Sequence, residues 1–184
     1  MKKIIILILF ISILAVMSCE NDSTGQDPSS DNSTFVSSKS VVKDSNDKAL
    51  GTLLIGGSSS IVFLTSEDYV VSMGWNAEIF ESTIVFKSED CSGDAYVYFQ
   101  KSDNKSIKNK LIKNNNKLYE YADADENNLV DLSEVTVQTL NSMLNIETNV
   151  CESFSANYKL VELKRTTNKS VGLPETIAPP ISIE

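Results

Sequence analysis

The chain has 184 residues, of which 41% are hydrophobic and 22% are charged, so it is long enough and apolar enough to build one core. Sixteen Lys and Arg residues against 25 Asp and Glu residues give a net charge of −9, which argues against nucleic acid as a partner. The sequence contains no His, which excludes His-dependent serine or cysteine hydrolases and His-ligated zinc or haem.

The chain begins with the pattern of an export signal. Two lysines precede an apolar run, Ile4 to Met17, that is shorter than the roughly 20 residues a membrane-spanning helix needs. The run ends in Val16-Met17-Ser18-Cys19, which resembles the lipobox of bacterial lipoproteins, a family in which the signal peptide is cut before the Cys and the Cys is acylated. The resemblance implies a signal peptide over residues 1–18, lipidation of Cys19 and attachment to a membrane through acyl chains. The alternative is an ordinary secreted protein with an unmodified Cys.

Residues 19–40 are rich in Ser, Asp and Asn and poor in apolar residues, which predicts a disordered tether after the acylated Cys. Removing the two lysines of the signal leaves 16 − 2 = 14 basic residues against 25 acidic ones, a net charge of 14 − 25 = −11. An anionic lipid surface repels such a chain, so we expect the acyl chains rather than charge to hold it at the membrane.

Beyond residue 40, short β-branched or aromatic runs alternate with polar turns. This spacing predicts a mainly β fold, an antiparallel sandwich or barrel, with residues 41–184 forming a single β-rich domain. The first two runs flank Asp44-Ser45-Asn46-Asp47, a cluster typical of a hairpin turn. The predicted strands of this part are 41–43, 49–55, 61–64, 69–73, 83–87 and 95–99.

The C-terminal third is harder to interpret from periodicity. Residues 101–116 are polar and Asn-rich, which favours a long surface loop, whereas 118–121 and 158–163 are typical of strands. Apolar residues in 132–145 are spaced mostly as in a helical stripe, which predicts a short helix, although Val135 and Val137 alternate as in a strand.

The remaining cysteines predict a disulfide. If Cys19 is lipidated, as the lipobox resemblance implies, Cys91 and Cys151 are left, and an exported protein usually pairs two such thiols. The alternatives are two separate buried thiols or a redox pair, and the lack of a C-x-x-C motif argues against redox catalysis.

One segment has the composition of a metal site. Asp123 to Glu134 resembles the twelve-residue calcium loop of the EF-hand and dockerin-type families, with apolar Val130 at position 8, where such loops contact a core. The resemblance implies that Ca²⁺ is bound by four side chains at positions 1, 3, 5 and 9, by one carbonyl at position 7 and by both oxygens of the acid at position 12. These ligands are Asp123, Asp125, Asn127, Asp131, the Leu129 carbonyl and Glu134.

The loop departs from the family pattern in two ways. Position 6 is normally Gly with a positive φ, and here it is Asn128, the next most tolerant residue. No helix is predicted before the loop, and the chain has no second loop of this kind. The alternative is an acidic, solvated turn; if calcium binds, we expect a structural rather than a sensory role.

The body of the chain, with paired strands and a Cys91-Ser92-Gly93 turn, also resembles small exported β-rich bacterial proteins for which no activity is established. The sequence therefore predicts a lipid-anchored cell-envelope protein, at the outer membrane or cell surface, that acts as a non-enzymatic binding or structural module on an extracytoplasmic partner. The alternatives are a hydrolase that uses acidic residues, with Glu67-Asp68 and Glu89-Asp90 as candidate carboxylates, and a calcium-dependent adhesion module.

Overall fold

The computed structural model describes residues 40–184. The predicted signal peptide, Cys19 with its predicted lipidation and almost all of the predicted tether lie outside the described residues. Residues 40–184 form thirteen strands, paired in antiparallel sheets, and one 3-10 turn, so the prediction of a mainly β, antiparallel fold is confirmed. Within this range, no helix is long and apolar enough to cross a membrane.

The first sheet is five-stranded, in the order β13-β1-β2-β3-β4. The segments next to its two edge strands, β13 and β4, are in contact. The amide of Ile181, just before β13, donates to the carbonyl of Trp75, just after β4, at 3.0 Å. Alternate residues such as Ile61 and Phe63 on β3 point into the core and are almost fully buried. The strands are β1 Val41–Lys43, β2 Ala49–Gly56, β3 Ser60–Leu64, β4 Val70–Gly74 and β13 Ser182–Ile183.

The second sheet has the order β11-β5-β6-β12-β9-β8, and β11 also pairs with β12. Strands β5, β6, β12 and β11 therefore close into a ring, and the ring's own cluster of buried residues takes one from each strand: Val85, Tyr96, Leu160 and Leu140. The strands are β5 Ile84–Phe86, β6 Ala95–Phe99, β8 Ile112–Asn114, β9 Lys117–Tyr121, β11 Val137–Leu144 and β12 Cys151–Arg165.

A separate pair of short strands, β7 Ser106–Lys108 and β10 Leu129–Asp131, packs beside the second sheet. Val130 of β10 and Leu132 just beyond it are 3% and 0% exposed and belong to the same cluster as Val161 and Leu163 of β12. This pair positions the acidic loop, because the loop runs from the end of β9 directly into β10.

The helix predicted over residues 132–145 is wrong. Most of this segment is β11, which pairs with β12 on one edge and with β5 on the other. Leu140 and Ser142 are both fully buried with Asn141 only partly so, which is the two-residue alternation of a strand. Long-range pairing on both edges outweighs the helical spacing of the apolar residues. The one short helical turn described in this third of the chain is Lys169–Val171.

The long surface loop predicted over residues 101–116 is also wrong in part, because this stretch contains β7 and β8. Asn109 and Asn114 are 1% and 2% exposed, and each side chain makes a hydrogen bond to a backbone group of another segment. The Asn109 Oδ1 accepts from the amide of Tyr121 at 2.9 Å, and the Asn114 Nδ2 donates to the carbonyl of Ser82 at 2.9 Å. The Asn side chains therefore serve as internal hydrogen-bonding groups rather than as a solvated surface.

Candidate functional site

The first half of the acidic loop is a tight turn built by Asp125. Its carboxylate accepts from the amides of Asn127 at 2.8 Å and Leu129 at 2.9 Å, and its own amide donates to the Leu129 carbonyl at 2.8 Å. The Leu129 amide is the main cause that lowers the pKa of Asp125, and the Asn127 amide adds to it. This carboxylate therefore stays ionised in the folded loop and holds the turn closed.

Asn128, at position 6 of the loop, has a φ of +55°, as the calcium-loop pattern requires. Its side-chain amide donates to the Glu67 carbonyl at 2.7 Å, and its own carbonyl accepts from the Asn109 amide at 2.7 Å. The tip of the loop is thereby fixed to the β3–β4 turn and to the segment after β7. An Asn can hold this conformation at modest cost, and here its side chain makes a tertiary contact that Gly could not make.

Lys108 lies beside the tip of the loop and supplies positive charge to it. Its Nζ donates to the Asn127 carbonyl at 2.9 Å and forms an ion pair with Asp68 at 3.1 Å. The Asn127 carbonyl and the Asp68 carboxylate thus both bind the Lys108 ammonium. This is a second link between the loop and the β3–β4 turn.

The second half of the loop is held by Asp131 and by the buried strand β10. The Asp131 Oδ1 accepts from the hydroxyl of Ser133 at 2.7 Å and from its amide at 2.8 Å. The hydroxyl of Ser133 is the largest cause of the lowered pKa of Asp131, and the charge of Lys159 lowers it further. Val130 at position 8 is buried against the second sheet, so the predicted contact with the core is present.

Three of the six predicted calcium ligands meet at one cavity of about 290 Å³, and three do not. Asp123, Asp131 and Glu134, which are loop positions 1, 9 and 12, line this cavity together with the polar side chains of Thr136 and Gln138. Asp125, Asn127 and Leu129 do not line it; their carboxylate and carbonyl oxygens bind amides and Lys108 in the turn. Among residues 40–184, no three His, Cys, Asp or Glu side chains lie close enough together to hold a metal ion. The polar side chains of the cavity wall carry oxygen atoms, the type of ligand atom that calcium prefers.

Lys159 is a buried cation close to this cavity that the sequence interpretation missed. It lies on β12, is 5% exposed, and its Nζ donates to the Asp103 carbonyl at 2.7 Å, to the Asn104 Oδ1 at 2.8 Å and to the Leu132 carbonyl. The signal was a Lys at the start of a predicted strand, Tyr158–Leu163, whose other residues are apolar or aromatic except Glu162. All three N–H groups have oxygen partners. Lys159 therefore holds the chain in place directly after β10, the strand that carries Asp131.

A disulfide joins Cys91, in the β5–β6 loop, to Cys151 at the start of β12, as the sequence predicts. The Cα atoms are 5.8 Å apart and the sulfurs 2.14 Å apart. The hydroxyl of Ser142, fully buried on β11, accepts from the Cys91 amide at 3.1 Å and donates to the Ser88 carbonyl at 2.7 Å. The loop is thus fixed to the ring of strands by a covalent bond and by a buried hydroxyl.

In each of the two acidic pairs considered for hydrolysis, the Asp makes contacts with other side chains or with the backbone. Asp68 forms the ion pair with Lys108, and Asp90 accepts from the Ser92 hydroxyl at 2.6 Å and from its amide at 3.2 Å. The Ser92 hydroxyl is the largest cause that lowers the pKa of Asp90. Both carboxylates are exposed, and each is committed to a local contact.

A cavity of about 540 Å³ lies where the β4–β5 connection meets the C-terminal segment, and no pattern in the sequence predicted it. Its wall mixes Ile79, Leu118 and Ile177 with Glu78 and Asn168. The Asn168 Nδ2 donates to the Glu175 carbonyl at 3.2 Å, whereas its buried Oδ1 has no partner among the described residues.

Comparison with known proteins gives no relative from which a role could be transferred. No protein-family model, no curated protein and no solved structure matches the chain.

Proposed function

We propose that the chain is an exported, lipid-anchored cell-envelope protein whose β domain is a non-enzymatic binding or structural module, stabilised by one calcium ion in the loop 123–134. The observation that carries the first part is the Cys91–Cys151 disulfide. Disulfides of this kind form and persist in oxidising compartments outside the cytoplasm.

The disulfide also supports a special role for Cys19. The chain has three cysteines, so once Cys91 and Cys151 are paired, Cys19 alone is left with a thiol. It stands after the cationic start and the apolar run, in the sequence that resembles a lipobox. A net charge of −9 on the whole chain would not draw it to an anionic membrane surface, so the proposed attachment depends on acyl chains.

The proposed role as a binding or structural module, rather than an enzyme, is supported by what the acidic residues do. Asp68, Asp90 and Asp125 are each committed to a turn or an ion pair. The three carboxylates of the 290 Å³ cavity belong to the loop whose sequence resembles a calcium site, which favours cation binding over hydrolysis as their role.

Metabolic labelling of cells that express the protein, with a clickable fatty acid, tests this proposal. We expect the wild-type protein to carry the label and to sediment with membranes, and Cys19→Ala to lose both. The matched control is the double variant Cys91→Ala with Cys151→Ala, which should keep the label, because its only cysteine is Cys19. If Cys19→Ala still carries the label or still sediments with membranes, the proposal is wrong.

A further inference from the structure

One end of the first sheet exposes apolar side chains. Leu54 and Ile55, at the end of β2, are 50% and 65% exposed, and Ile183 on β13 is 37% exposed. The register of β2 against β3 explains why Leu54 and Ile55 are exposed. Leu53 is opposite Phe63 and Ile55 is opposite Val62, so Leu54 is an extra residue without a partner on β3. Because a bulge interrupts the alternation of faces, two consecutive apolar side chains are both left outside the core.

These residues belong to one surface, which we call the apolar end and define as Leu54, Ile55 and Ile183. A Cβ added to Gly56 would lie 3.9 Å from the Leu53 Cδ2 and 4.0 Å from the Ile183 Cδ1, so β13 reaches the end of β2. All residues from 54 to 59 in the β2–β3 hairpin are exposed. Contiguous exposed apolar residues of this kind mark a site of interaction.

The preceding chain joins the domain at the apolar end. The Ser40 carbonyl accepts from the Leu53 amide at 2.9 Å, and Val41 and Glu184 exchange two backbone hydrogen bonds of 2.8 and 3.0 Å. Cys19 is 40 − 19 = 21 residues before Ser40. Twenty-one residues span at most about 75 Å when fully extended, so an anchor at Cys19 would hold this end of the domain within that distance of the bilayer.

The charge of this surface also fits a bilayer. The sequence from Ala49 to Ser66, which contains the whole β2–β3 hairpin, has no Asp, Glu, Lys or Arg, in a chain with 22% charged residues. Beside it, Lys43 and Glu184 neutralise each other in an ion pair. Inserting the hairpin tip into the headgroup region therefore removes apolar surface from water without burying an ionised side chain of the hairpin.

We propose that the apolar end is a membrane-docking surface that inserts Leu54 and Ile55 into the interfacial region of a phospholipid bilayer. This inference rests on the proposed lipidation of Cys19: the acyl chains attach the protein, and the apolar end sets the orientation of its domain. A neutral, zwitterionic surface is the fitting partner, because an anionic one repels the acidic chain.

Trp75 offers a direct test, because it is the single Trp of the chain. Its indole N–H donates to the Gly57 carbonyl at 3.1 Å, two residues beyond Ile55. The full lipidated protein is reconstituted in phosphatidylcholine vesicles with or without brominated acyl chains, which quench indole fluorescence on contact. We expect brominated vesicles to reduce the Trp75 emission of the wild-type protein.

The double variant Leu54→Ser with Ile55→Ser should lose this quenching while it still co-sediments with vesicles through its acyl chains. The matched control is Val150→Ser with Phe154→Ser, which should keep the quenching. Val150, just before β12, and Phe154, on β12, are 56% and 42% exposed. If the double variant melts at a lower temperature than the wild type, the single variant Ile55→Ser replaces it.

Each other outcome overturns the inference in a recognisable way. Wild-type protein that co-sediments but is not quenched contradicts the docking surface and leaves the lipid anchor intact. Wild-type protein that does not co-sediment contradicts both. If Leu54→Ser with Ile55→Ser instead dissociates an oligomer in detergent, the apolar end is an interface between two copies of the chain.

Discussion

The Lys159 ammonium on β12 donates a hydrogen bond to the carbonyl oxygen of Leu132, the first residue after β10. This contact connects the centre of the second sheet to the segment that carries Asp131 and Glu134. The same ammonium holds the Asp103 carbonyl and the Asn104 Oδ1, so one side chain organises two connecting segments. A buried cation is tolerated here because each of its N–H groups has an oxygen partner.

Replacing Lys159 by Met should lower the free energy of unfolding by about 2–4 kcal/mol, because it leaves the buried Leu132 carbonyl and two part-buried oxygens without their donor. Urea denaturation measures the loss. Lys101→Met, at an exposed position, is the control and should change stability by less than about 0.5 kcal/mol. A Lys159→Met protein as stable as the wild type would show that water replaces the ammonium.

The disulfide closes a loop with a sequence separation of 60 residues. The double variant Cys91→Ser with Cys151→Ser should lose about 4 kcal/mol, because the chain-entropy model gives that value for a loop of this length. The control is the wild-type protein in a reducing agent, which should unfold at the same urea concentration as the variant in that agent. If the variant unfolds at the same urea concentration as the oxidised wild type, the cross-link does not stabilise the domain.

The lowered pKa of Asp44 predicts how the stability of the domain depends on pH. Burial alone raises the pKa of this carboxyl, but backbone amides of Lys48, Ala178 and Asn46 donate to it and together hold its pKa below the usual value. A carboxyl with a lowered folded pKa contributes stability that is fully present above its unfolded pKa, near pH 4, and is lost as the pH falls through the folded pKa.

We therefore expect the melting temperature of the wild-type protein to fall more steeply below about pH 4 than that of Asp44→Asn, because Asn cannot titrate. Asp94→Asn, at an exposed position, is the control and should follow the wild-type curve. Parallel curves for the wild type and Asp44→Asn would contradict a stabilising role for the ionised carboxyl.

Local patterns in the sequence were sufficient for strands β1 to β4 of the first sheet and for the cysteines, but not for β13. The β1–β2 hairpin follows from two apolar runs around Asp44–Asp47, and the positive φ of Asn128 follows from its place in the loop. The closure of the ring could not be predicted in this way. Leu140 has neighbours that fit a helix as well as a strand, and only its pairing with β12, opposite Ala156, decides between them.

The calcium-loop pattern predicted that six residues surround one ion, and the structure places three of them, Asp123, Asp131 and Glu134, on one cavity. Asp123 and Glu134 lie at opposite ends of the loop sequence, and the structure places both on one cavity because β10 and the turn after it bring the chain back. Lys159 was not predictable as a partner of this segment. Its acceptors at 103, 104 and 132 are far from it in sequence, so the contact exists only through the tertiary fold.

The last prediction is that calcium stabilises the folded domain through the acidic loop. Asp123, Asp131 and Glu134 line one cavity, so a cation bound there would be attracted by all three carboxylates. Sites of extracellular modules bind calcium with dissociation constants of about 10⁻⁴–10⁻³ M, so about 10 mM calcium should raise the melting temperature by several degrees over a chelator. Magnesium should raise the melting temperature less than calcium does, because it requires shorter metal–oxygen distances and a near-ideal octahedral geometry.

Glu134→Gln should lose most of this rise, because it removes the charge of the acid proposed to bind the ion with both oxygens. The matched control is Glu126→Gln, an exposed residue of the same loop outside the cavity, which should keep the rise. The comparison separates a site from general screening: if calcium acted only on the net charge of the chain, both variants would respond equally, since each removes one carboxylate. Equal responses, or melting temperatures that are the same in calcium and in chelator, would identify the loop as a solvated turn held by Asp125 and Lys108 alone.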